Sequence, residues 1–137
     1  MITEISIFLP NEPGILAGFV DLMRENNVNI RGISVAETAD YGLLSIIVDK
    51  SETCIDLLKE NEFDYSAKQV LAVKISDDLK SLFTIANVMG NNDVNIEYLY
   101  TTVVNNIQYM VLRVDNLEKG VKVVREEGFD LLEGEQL

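Results

Sequence analysis

The sequence predicts an α+β fold in which one βαββαβ unit is used twice, and three observations carry it: a self-match, alternating apolar runs, and helix-spaced apolar runs between them. Val28-Asn29-Ile30 recurs as Val94-Asn95-Ile96, and the same offset of 66 residues aligns the two halves without gaps. It pairs Leu16 with Leu82, Met23 with Met89, Val48-Asp49 with Val114-Asp115, Glu60 with Glu126, and Phe63-Asp64 with Phe129-Asp130. So long a single register identifies an internal repeat of nearly the whole chain.

Each repeat opens on a strand, Ile5, Ile7 and Leu9 in the first and Leu71, Val73 and Ile75 in the second, because alternation turns one face to a core. Helix-spaced residues follow: Ile15, Leu16, Phe19, Val20 and Met23, then Leu79, Leu82, Phe83, Ala86 and Met89, each run closing in an Asn-rich stretch. Val28 to Ala36 with Leu43 to Val48, and Val94 to Val104 with Ile107 to Val114, read as hairpins, the second turning at Asn105-Asn106. Asp49 and Asp115 are expected to cap the next helices, with Glu52 and Glu118 in their first turns and Gly128 stopping the last. Phe63 to Gln69 and Phe129 to Leu132 supply the final strands. The order is the ferredoxin-like arrangement, so each repeat is expected to form an antiparallel four-stranded sheet with two helices on one face. Domain boundaries are expected at 1–69 and 70–137, with no linker between Gln69 and Val70. The helix-free sheet face is expected to need a cover, which a second chain would supply in a homodimer of twofold symmetry.

Composition narrows the function. The chain has 137 residues, 47% of them hydrophobic, which suits an ordered core and is too short for a multidomain enzyme. Eleven Lys and Arg stand against 23 Asp and Glu, a net charge of −12, which repels nucleic acid and anionic membranes; neither is expected as a partner. His is absent, so the commonest general base and metal ligand are missing, no enzyme activity is read, and no cofactor is implied. Cys54 alone allows neither an intrachain disulfide nor a CxxC site, and with no basic neighbour it reads as inert; a reducing cytoplasm is the expected compartment. No apolar run approaches the roughly 18 residues of a membrane span. The acidic pairs Asp77-Asp78 and Glu126-Glu127 read as helix cap and solvated helix face.

Leu9-Pro10-Asn11-Glu12-Pro13-Gly14-Ile15-Leu16 between the first strand and first helix, followed by Val28-Asn29-Ile30, resembles an ACT domain. The second repeat matches in topology, and its Val94-Asn95-Ile96-Glu97 is similar to the second ACT repeat of aspartokinases. The resemblance implies a regulatory unit that binds a free amino acid where the strand-to-helix loop of one unit faces the second strand of the other. Carried onto this chain it implicates Asn11, Pro13, Gly14, Ile15 and Leu16 with Asn95 and Ile96, and Glu12 and Tyr98 stand beside them as candidate ligand contacts. The chemistry is coherent, since a loop entering a helix presents free N–H groups and a positive dipole end to a carboxylate, Gly14 permits close approach, and Asn11 could cap the helix or bind the ligand. Asn-x-Pro-Gly is also an ordinary helix start, and Tyr98 and Tyr100, on one parity of their strand, could line the pocket or pack across the sheet. In the second repeat Asp77, Asp78, Leu79 and Lys80 replace the loop, so its pseudo-site, Ser76 to Ser81 with Asn29 and Ile30, is expected to be weak or empty. Two functions are therefore carried forward: an amino-acid sensor modulating its own assembly or a partner enzyme, or a ligand-free dimerisation and interaction module.

Overall fold

The computed structural model describes residues 1–37, 40–76 and 79–137. The chain runs β1 (Ile2–Pro10), α1 (Ile15–Glu25), β2 (Ile30–Glu37), β3 (Tyr41–Val48), α2 (Ser51–Glu60), β4 (Asp64–Lys74), α3 (Leu79–Asn91), β5 (Ile96–Val104), β6 (Ile107–Val114) and α4 (Leu117–Glu126). It divides into two compact units, Thr3–Lys68 and Gln69–Leu137 with Met1–Ile2.

The expected pair of four-stranded sheets is corrected to one six-stranded antiparallel sheet in the order β2-β3-β1-β4-β6-β5. The reason lies between Phe63 and Ile75: no Gly, Pro, Asn or Asp interrupts Tyr65 to Ile75, so the two strands read there run on as the single strand β4. Phe129 to Leu132 forms no full strand and is held by a bridge of Leu131 to Val73, with Lys74 N–H on the Asp130 carbonyl at 2.8 Å and Leu132 N–H on that of Ala72 at 2.8 Å.

The repeat is written into the cores. In the first unit Ile5, Ile7, Phe19, Met23, Val28, Leu44, Ile46, Val48 and Leu58 cluster. Their counterparts Leu71, Val73, Ile85, Met89, Val94, Met110, Leu112, Val114 and Val124 cluster in the second, each 66 residues later. The apolar stripe read for α3 is corrected: Ser81, Ile85 and Met89 are its buried residues, while Leu79 is 84% exposed and Phe83 60%. Residues four apart lie on one face, and Ile85 and Met89 outbid the neighbouring row for the sheet. On the face opposite the helices Glu4, Ser6, Ser45, Ile47, Ala72 and Val111 are buried while Phe8 is 40% exposed, and Ser6 Oγ meets Ser45 Oγ at 3.2 Å.

Asp49 and Asp115 prove not to be helix caps. Lys50 and Asn116 occupy those positions, Asn116 accepting from Lys119 N–H. The aspartates reach back instead to the starts of the second strands: Asn29 N–H and Nδ2 donate to Asp49 at 2.9 and 2.8 Å, and Asn95 N–H donates to Asp115 at 2.9 Å. Asp49 and Asp115 N–H return a bond to the Asn29 and Asn95 carbonyls, both at 3.1 Å. The recurring Val-Asn-Ile and Val-Asp motifs are thus the two ends of one clasp.

Candidate functional site

Glu12-Pro13-Gly14-Ile15 folds as a type II turn because proline presets the first central position and glycine takes the second, at φ 87° and ψ −13°. Ile15 N–H closes it on the Glu12 carbonyl at 3.3 Å. Gly14 is the N-cap of α1 and no side chain caps the helix, so the Asn11 cap expectation is corrected: the turn places the helix start beyond Asn11's position. The helical ladder begins with Gly18 N–H on the Gly14 carbonyl at 3.0 Å, so the Leu16 and Ala17 N–H groups of the first turn have no partner within the helix.

Beside this turn lies a cleft of about 120 Å³. Its floor is Leu9 and Leu44, both buried; Ile15, Leu16 and Val35 form the walls; Pro10, Asn11, Glu12 and Glu37 stand at the rim. Strand pairing builds it, because β2 and β3 set Val35 opposite Leu44 and Glu37 opposite Gly42, while β1 sets Leu9 opposite Gly42. Four of the residues expected at a site, Asn11, Glu12, Ile15 and Leu16, meet here; Pro13 and Gly14 form the turn behind them. Val35, Glu37 and Leu44 were not expected. Their signal is the two-residue parity of Ile33, Val35 and Glu37, legible only once the register with β3 is known.

Cys54 is fully buried with its Sγ 3.6 Å from Met23 Sδ, and burial pushes its thiol up to about 11. Among the described residues no group of three His, Cys, Asp or Glu side chains converges to hold a metal ion, and no helix is long and apolar enough to cross a membrane.

A family model described as an ACT domain pair matches residues 1–137. This chain belongs to the ACT domain pair family. Among solved structures this ACT domain pair is similar to a Bacteroides thetaiotaomicron protein at 29% identity and TM-score 0.91, covering 98% of this chain and 94% of that one. It shares its fold with the regulatory subunit of aspartate kinase from Thermus thermophilus, in ligand-free form, at 13% identity and TM-score 0.64, covering 93% of each chain. The corresponding subunit from Thermus flavus has TM-score 0.58 at 13% identity over 90% of each chain. No curated protein matches the chain.

The second half of the pair repeats the cleft. Ile75, Ser76, Leu79, Leu82, Thr101, Gln108 and Met110 line about 300 Å³, each 66 residues after Leu9, Pro10, Pro13, Leu16, Val35, Gly42 and Leu44. Ser76 Oγ and Ser81 Oγ lie 2.9 Å apart there, and Asp77 and Asp78, which motivated the expectation of a weak site, lie outside the described residues. The remaining expected site residues belong to this unit: Asn95 in the clasp with Asp115, Ile96 packed on the core, and Tyr98 opposite Arg113 on β5, 36% exposed.

Proposed function

We propose that this ACT domain pair is a small regulatory sensor that binds one free amino acid through the cleft of its first repeat and thereby modulates its own assembly or a partner enzyme. The observation that carries the reading is the cleft itself, where an uncapped helix start, a glycine turn and an apolar floor converge. The ligand's carboxylate faces the α1 N-terminus, its ammonium the rim carboxylates of Glu12 and Glu37, and its side chain the floor. The regulatory subunits among the structural relatives support regulation, not catalysis, as the role. Screening the standard amino acids by thermal shift tests it. A ligand at one hundred times its dissociation constant adds about 2.7 kcal/mol and a clear rise in melting temperature. A flat profile across all of them, with no calorimetric heat, rejects the sensor.

The second reading, an interaction module, is favoured by the exposed Leu79 and Phe83 on α3 and Val103 on β5. It shares with the sensor the proposal of a homodimer, which those residues support. Sedimentation equilibrium checks it: a strictly 15.4 kDa species at every concentration rejects the dimer.

A further inference from the structure

On the reading that the first-repeat cleft takes a free amino acid, we infer that it selects a small aliphatic side chain, that of valine, isoleucine or leucine. The five side chains that form its floor and walls, Leu9, Ile15, Leu16, Val35 and Leu44, are all aliphatic and carry no hydrogen-bonding atom. A hydroxyl, amide or charge entering among them surrenders its water and gains no partner, whereas a hydrocarbon branch gains burial. Size sets the second limit. A cleft of about 120 Å³ is smaller than the roughly 150 Å³ of an apolar cavity that takes up a benzene ring, so a branched aliphatic side chain fills it more closely than a phenyl or indole ring does. Charge sets the third, because Glu12 and Glu37 at the rim attract an ammonium and repel an acidic side chain. Lysine fits poorly, since its second ammonium must either enter the aliphatic floor or compete for the rim with the first.

The apolar lining is not imposed by the fold. At the corresponding positions of the second cleft Thr101 stands for Val35, Gln108 for Gly42 and Ser76 for Pro10, on the same strand framework. The first cleft is therefore apolar by its own sequence, and that is what its ligand meets.

Isothermal titration of the full chain with valine, isoleucine, leucine, threonine, aspartate, lysine and phenylalanine tests the assignment. The expected result is that at least one of the three aliphatic amino acids binds tenfold or more tighter than each of the other four. Threonine, aspartate, lysine or phenylalanine binding as tightly as the best aliphatic ligand overturns the assignment while leaving the sensor in place. Absence of any heat overturns the sensor reading, and this inference with it. Val35→Thr supplies the internal check, because Val35 is half exposed on a strand where threonine is well tolerated, so circular dichroism should be unchanged. The variant is expected to lose about three- to tenfold in affinity for the aliphatic ligand. A folded variant that binds it as tightly as the parent overturns the placement of the side chain in this cleft.

Discussion

Asp49 and Cys54 show how a residue's neighbours decide its chemistry. Burial acts to raise the Asp49 carboxyl, yet the side-chain and backbone bonds from Asn29, with Lys50 and Arg31 nearby, outweigh it, and its pKa lies below the usual value. A depressed native value means the unfolded chain protonates first, so the stability Asp49 contributes is whole above the unfolded value and is lost as pH falls through the native one. Asp49→Ala should cost about 1 kcal/mol at neutral pH, the upper part of the charged hydrogen-bond range being lost to solvent screening at this partly exposed site. Denaturation of parent and variant across pH should show the gap closing on acidification. For Cys54, a thiol at about 11 is ionised in roughly one molecule per thousand at pH 8, and the group is buried as well. Labelling with a thiol reagent should therefore follow global unfolding, with native protein unreactive over the time in which denatured protein reacts fully.

The four helices end alike, each with a left-handed residue after the C-cap and a Schellman pair of bonds: Val28 N–H to Met23, Phe63 to Leu58, Val94 to Met89 and Phe129 to Val124. Asn27, Glu62, Asp93 and Gly128 take the left-handed position. Glu62, at φ 58°, carries the largest side-chain penalty of the four, so Glu62→Gly, copying Gly128, should raise stability by about 0.5–1 kcal/mol, read as a higher melting temperature. The reverse logic applies on α4. Gly120 stands where the first repeat has Cys54, and a Cβ there would meet Leu71 and Val114 at 3.2 Å and Met89 at 3.6 Å. Those neighbours are fully buried, so Gly120→Ala should cost about 1–2 kcal/mol through overpacking despite alanine's better helix propensity, measured by chemical denaturation. The two cores are thus one design filled differently: a thiol in one, a closer helix approach in the other.

At the scale of the molecule, a net charge of −12 on 137 residues is self-repulsive. Added salt should raise the melting temperature and tighten any self-association, and a melting temperature that falls from low to high salt would contradict that account.

The sequence alone determined the repeat, the family and most of the elements, because core residues recur at one offset and because period-two and helical spacings are local properties. It also located the turn, since Pro13-Gly14 specifies its backbone in four consecutive residues. Tertiary structure decided the rest. Whether β4 breaks at Gln69 depends on what pairs along its length; which face of α3 is buried depends on the sheet that receives Ile85 and Met89; and whether Asp49 caps a helix or clasps Asn29 depends on a residue twenty positions away. The cleft is the clearest case. Its loop half lies in one stretch of chain, but Val35 and Glu37 join it only through the register of β2 on β3 and Leu44 through that of β3 on β1, and a shift of β2 by one residue would turn Val35 and Glu37 to the other face.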